Sequence, residues 1–318
     1  MIVKQLLDLF EILDSAHASG EQVLSYLKSL GAKDEWLSRQ ACQGDKGGST
    51  DFVKIKIPGS KGKMSGGSAP TIGIIGRLGG LGARPERIGF VSDGDGALCS
   101  LAIAAKLIDM QGKSDYLPGD VIIATHVCPD ANTEPHEPVA FMGSSVDMAT
   151  MNKMEVDPDM DAILSIDTTK GNRIINHLGI AISPTVKEGY ILQVSEDLLD
   201  LLEITSGDFP QVFALSDQDI TPYGNDLYHL NSILQPATST TSPVVGVAIT
   251  TKTAVSGSAT GATTLNSLDI ACRFCLEVAK SFTREQCHFY LESAFEVLIH
   301  KYGSRKIMQT QGGKYDET

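Results

Sequence analysis

The chain opens on a helical rhythm. In MIVKQLLDLFEILDS, Lys4, Asp8, Glu11 and Asp14 interrupt the apolar residues at a spacing that predicts an amphipathic helix near residues 2–14. A second short helix is predicted near 20–30, starting after Ser19-Gly20 and ending at Gly31, a C-cap signal. Residues 43–69 are rich in Gly, Ser and Lys around one alternating stretch, DFVKIKIP, and read as a flexible or edge segment. From residue 70 the pattern becomes strand and helix in turn. TIGIIG, RIGFVS, DVIIATHV and DAILSID read as strands, ALCSLAIAAKLIDM as a helix, and CPDANTEPHEPVAFMGS as a long loop. In the second half GIAISPTV, GYILQVS, QVFALS and VVGVAIT read as strands. EDLLDLLEIT, LNSLDIACRFCLEVAKSF and REQCHFYLESAFEVLIHKYG read as helices, and the last ten or so residues, about 309–318, as a frayed tail.

Strands that are apolar on both faces need cover on both faces. Separated by helices, they predict an α/β fold of three layers, a mostly parallel central sheet with helices on either side. No internal repeat is found, and residues 1–318 read as a single domain. The Thr-, Ser-, Ala- and Gly-rich run at 237–264 contains a clear strand and reads as strand plus loop.

Composition narrows the class of protein. Of 318 residues, 42 % are apolar and 20 % charged, as in an ordinary globular chain. The net charge of -13 repels phosphate backbones, so no nucleic-acid partner is expected. The charged opening helix lacks the core of a signal peptide, and no run of about 18 apolar residues occurs. No membrane partner is expected, and the expected location is the cytoplasm. The six cysteines are scattered and read as reduced thiols. Cys272 and Cys275 lie inside a helix-period pattern and read as buried small hydrophobes rather than a redox pair.

In an open parallel sheet, ligands bind beyond the carboxyl ends of the strands. Asp93-Gly94-Asp95-Gly96 follows RIGFVS, Cys128-Pro129-Asp130 follows DVIIATHV with His126 inside the strand end, and Asp167-Thr168-Thr169-Lys170 follows DAILSI. Thr250, Thr251 and Lys252 follow VVGVAI. Acids gathered this way repel unless a cation or a proton sits among them. Asp, His and Cys are suitable ligands for zinc or a related divalent ion, so Asp93, Asp95, Asp130, Asp167, His126 and Cys128 are candidate ligands. Each acid also has a plain structural reading, as a helix cap or a turn residue. Three prolines stiffen the loop that carries His126, Cys128, Asp130, Glu134, His136 and Glu137. The turn Gly-Arg-Leu-Gly-Gly-Leu-Gly after TIGIIG leads toward another predicted strand, against a dinucleotide fingerprint. Neither a phosphate-binding G-x-x-x-x-G-K-S/T motif nor a G-x-S-x-G nucleophile elbow occurs.

The order of elements resembles the bacterial domain-of-unknown-function family 1177 over nearly the whole chain, and more distantly the glutamyl-aminopeptidase clan of two-zinc exopeptidases. The likeness to the clan lies in short motifs in order. LDLFEILDSAHASGEQVLSYL resembles its leading helices. Asp93 in SDGDGALCSL, with Asp95 second, matches its bridging aspartate, and Asp167 in DAILSIDTT its next metal-ligand aspartate. The resemblance implies a zinc-aminopeptidase-like fold and a divalent metal, zinc by analogy. The departures are as informative. Where the clan has a G-H-x-D turn, this chain reads Gly76-Arg77-Leu78-Gly79; where the clan has paired glutamates, it reads Cys128-Pro129-Asp130; and no histidine follows VVGVAIT.

Two classes of function follow. In the first, a metal-dependent hydrolase acts on a small amide or peptide-like substrate: Asp93 and Asp167 hold the metal, and Asp130, His126 or His136 completes the shell or acts as base. Arg77 or Lys252 holds a substrate carboxylate. In the second, a catalytically inactive aminopeptidase-like scaffold binds a small ligand or serves as a subunit of an assembly. Arg77 favours the second, since a guanidinium opposes a nearby metal cation. The crowded loop at 126–137 favours the first. A homo-oligomer is expected in either case.

Overall fold

The computed structural model describes residues 1–309 except 45–46, 78–80, 82–83, 85, 228 and 230–231. The tail expected to fray therefore lies outside the described residues but for Gln309, as do most positions of the Gly-rich turn after Gly76. In chain order the helices are α1 (Val3–Asp14), α2 (Gly20–Ser29), α3 (Asp95–Gln111), α4 (Met148–Glu155), α5 (Glu196–Ser206), α6 (Leu265–Phe282) and α7 (Glu292–Tyr302). The strands are β1 (Leu37–Gln43), β2 (Ser49–Ile57), β3 (Ile72–Gly76), β4 (Val121–Val127), β5 (Thr133–Glu134), β6 (Phe141–Met142), β7 (Ala162–Thr169), β8 (Gly179–Ile182), β9 (Val186–Lys187), β10 (Tyr190–Ile191) and β11 (Val244–Thr250).

One sheet runs β1-β2-β4-β3-β7-β11-β9-β10, with β8 also paired to β11. Its centre, β4-β3-β7-β11, is parallel, and the flanking strands are antiparallel. Alternate residues feed two cores. Ile72, Ile74, Ile123, Leu164 and Val247 point into the larger one, built with α1, α3 and α6. Ile75, Ile122, Ile163 and Ala248 point into a smaller one with Phe213, Ile233 and Leu234. The latter lies on the face where α4 packs against the 3-10 turn at Gln235–Thr238. The expected three-layer, mostly parallel α/β architecture is present. Cys272 and Cys275 are buried in α6, where burial pushes their thiols up, away from the thiolate.

Several elements differ from the sequence pattern. DFVKIKIP forms β2, an interior strand between β1 and β4, with Phe52, Val53, Ile55 and Ile57 buried; the edge is β1. RIGFVS is not a strand. Both neighbours of β3 are taken by β4 and β7, so the segment crosses outside the sheet, and only Val91 makes an isolated bridge, to Thr260. QVFALS is reduced to one bridge, Val212 to Ile182. The last helix starts at Glu292, because Cys287 and Phe289 are drawn into the core ahead of it. Among the described residues no helix is long and apolar enough to cross a membrane.

Candidate functional site

The carboxyl edge of the parallel strands is where the sequence places its chemistry, and it is closed by close backbone packing. A Cβ on Gly96, at the start of α3, would lie 2.0 Å from the Arg77 carbonyl and 2.6 Å from that of Ile166. Only glycine lets this helix press onto the ends of β3 and β7. A Cβ on Gly257 would fall 2.1 Å from Oδ2 of Asp93, so the loop after β11 lies directly on that carboxyl group.

Arg77 leaves β3 fully buried, at 0 % exposure. Its backbone N–H donates to the Ile166 carbonyl at 2.7 Å. Its Nε lies 2.7 Å from Oε2 of Glu155, at the end of α4, also at 0 %. Its Nη2 donates to Oδ1 of Asn152 at 2.5 Å. The other Glu155 oxygen, Oε1, is 2.8 Å from Nδ1 of His126, which is buried in β4. His126 thus completes a buried chain of three charged or polar groups with Glu155 and Arg77.

The other half of the edge carries three acids. Asp95 is buried and lies 3.3 Å from Nζ of Lys170, and it accepts from the Thr263 hydroxyl at 2.6 Å. Burial raises its pKa; Lys170 and Thr263 oppose the rise. Asp93 accepts the Met142 N–H at 3.0 Å. Burial pushes its carboxyl up to about 7, with the charges of Asp167 and Asp95 adding to the rise and the Met142 N–H and Lys170 opposing it. Asp167 accepts from the Ser232 hydroxyl at 2.5 Å and from the Thr168 N–H at 2.7 Å. Burial pushes it up to about 6 against those bonds and the Arg77 charge. None of the three caps a helix, since no side-chain bond closes the start of α3.

The remaining candidates differ in burial and partners. Asp130 and Lys252 are exposed. His136 is exposed and meets the Phe141 ring edge-on at 5.3 Å. Cys128 is buried with Val91, Ala131 and Met142, its Sγ 3.3 Å from the Ser145 hydroxyl. Among the described residues, no group of three or more His, Cys, Asp or Glu side chains is arranged to hold an ion. Arg77 and Lys170 stand as cations where a metal set would need open carboxylates, so these residues do not fit the two-ion centre that the aminopeptidase likeness implies. The sequence pattern missed Glu155, Asn152, Ser232 and Thr263. One signal was available for α4: Asp147 ahead of MATMNKME, where its side chain accepts the Thr150 N–H at 2.6 Å as an N-cap.

Comparison with solved structures places the fold among the aminopeptidases. A leucine aminopeptidase of Caenorhabditis elegans superposes with a TM-score of 0.55 at 10 % identity, over 90 % of this chain and 65 % of that one. A cytosol aminopeptidase from Coxiella burnetii gives 0.52 at 13 % identity, over 88 % and 68 %. The bottromycin maturation enzyme BotP, in a structure with Mn, gives 0.50 at 10 % identity, over 83 % and 65 %. The chain thus spans about two thirds of each of these proteins, and the likeness is one of fold. Residues 41–312 match the family of proteins of unknown function DUF1177, and the chain belongs to it. No curated protein matches the sequence.

Proposed function

We propose that this protein is an aminopeptidase-like scaffold that binds a small molecule and does not hydrolyse peptides through a two-ion centre. One observation carries the reading: the Arg77 guanidinium is fully buried and bound to Glu155 and Asn152 at the sheet edge. A zinc or other divalent ion entering there would have to displace Arg77 from Glu155, leaving a buried charge uncompensated. The expected result is no heat of binding on titration with zinc, manganese or cobalt at protein concentrations well above micromolar. With these ions present, aminoacyl amides should not be cleaved. Stoichiometric binding of an ion together with rapid cleavage would overturn the proposal.

A second reading has its own support. Asp93 and Asp167, lifted to about 7 and about 6, lie in the range that suits general acid–base work near neutral pH. Hydrolysis of a small amide by the metal-free protein, lost in both Asp93→Asn and Asp167→Asn while the fold is kept, would establish it in place of the first.

A further inference from the structure

The Thr- and Ser-rich stretch ahead of β11 plays no part in the charged edge. Thr238, Ser239, Thr240, Thr241 and Ser242 are five hydroxyl residues in succession. With the end of α4 and Gln309 they line a cleft of about 570 Å³, a size that suits a small ligand. Asn152 joins the cleft to the edge: its Oδ1 accepts from Arg77 and its Nδ2 donates to the Thr238 hydroxyl at 3.2 Å.

Three features give the cleft a chemical preference. Among the described residues its lining contains one cation, Lys153, and no carboxylate, in a chain whose net charge is -13. Lys153 is exposed and makes no ion pair among the described residues. The hydroxyls of Thr240 and Thr241 donate to no partner among the described residues, while Ser242 and Thr238 donate theirs to the Met160 and Gln235 carbonyls. The carbonyl end of α4 lies beside the cleft; its partial negative charge opposes any anion and a doubly charged one most, and Lys153, in that last turn, offsets it for a single carboxylate.

We infer that this cleft is a binding site for a small hydroxylated monocarboxylate. Lys153 takes the carboxylate, and Thr240 and Thr241 meet the ligand's hydroxyl groups. The inference rests on the ligand-binding reading above and places the ligand away from the acids of the sheet edge.

Calorimetric titration of the full chain with gluconate, glycerate and lactate tests it, with inorganic phosphate as the comparison. Gluconate is expected to bind with a dissociation constant of about 1 mM or tighter, ahead of lactate, which has fewer hydroxyls. Lys153→Ala should weaken gluconate about tenfold, while Lys61→Ala, another exposed lysine, should leave it unchanged. Thr240→Val should weaken gluconate and leave the melting temperature of the free protein unchanged; a residue needed only for the fold would lower it. No heat with any of the three carboxylates, phosphate binding as tightly as gluconate, or binding indifferent to Lys153→Ala would each overturn the site. Such a failure leaves the metal titration and amide assay above to decide the scaffold reading separately.

Discussion

Glu155 and Asp93 are both buried acids at the same sheet edge, and their surroundings treat them differently. Glu155 faces a fixed guanidinium at 2.7 Å and an imidazole at 2.8 Å, one partner for each oxygen. Asp93 receives one backbone N–H at 3.0 Å and faces the charges of Asp167 and Asp95, with Lys170 bound to its neighbour. One half of the edge thus holds its charge with a built-in cation. The other half carries more acid than its cation balances and shifts toward the protonated form. Side-chain cations hold the charge on one half of this edge and protonation relieves it on the other, so the two halves should respond differently when their residues are changed.

The largest effect is expected at the fully paired half. Glu155→Ala leaves the Arg77 guanidinium buried without its counter-charge, which typically costs about 3–5 kcal/mol. Denaturant unfolding at pH 7 should show the midpoint fall with little change in slope. Arg77→Met together with Glu155→Leu removes both charges and should recover much of that loss, because a buried pair replaced by apolar groups is often neutral. A single mutant as stable as the parent would mean that water reaches the pair and that the edge is open.

The second effect has a pH signature. Asp93 has a pKa of about 7 and Asp167 of about 6 in the folded chain, against about 3.9 for an unfolded aspartate. Between these limits the folded state binds more protons than the unfolded one, so stability falls as pH rises. The contribution is full below about 4 and gone above about 7. Lys113 holds Asp109 below the usual carboxylate range, and Lys4 does the same for Asp8, so their effect lies below that window. Asp93→Asn should flatten the upper part of the fall and raise stability at pH 8, on the order of 2–4 kcal/mol. Stability that rises from pH 5 to 7, or Asp93→Asn that destabilises at pH 8, would show that Asp93 is held as a charged structural ligand instead.

How far this was legible from the sequence follows from range. The helices α3 and α6 and the strands β4, β7 and β11 announce themselves through long, unbroken patterns, and the strand-end rule then put Asp93, Asp95, His126 and Asp167 on one edge together with Cys128, Asp130 and Lys252, while Arg77 entered only through the aminopeptidase resemblance. RIGFVS carries a strand's alternation yet forms none, since the slots beside β3 are filled by β4 and β7; pairing partners are a property of the whole sheet. Glu155 escaped because α4 is eight residues long with a weak apolar rhythm, and its pairing with Arg77 spans a chain separation no local pattern encodes. The loop at 126–137 misled for a related reason. Its crowding in sequence looked like a ligand set, while the structure turns His126 and Cys128 inward to different partners and leaves Asp130 and His136 at the surface.

The smallest effect is expected at these outward positions, and it bounds the comparison. Asp130 and Lys252 follow β4 and β11 at the same edge in sequence, but both side chains are exposed. An exposed charge is screened by water and mobile ions, and replacing it usually moves stability by less than about 0.5 kcal/mol. Asp130→Asn and Lys252→Gln, alone or together, should therefore leave the urea midpoint at pH 7 unchanged within error and leave the pH dependence set by Asp93 and Asp167 intact. The pH profile is the sharper readout, since Asp130 would alter it only by acting on the buried acids. A shift of the falling limb by half a pH unit or more in Asp130→Asn would mean that the charged edge extends outward along the loop. The division between a buried, self-balanced centre and an inert rim would then fail.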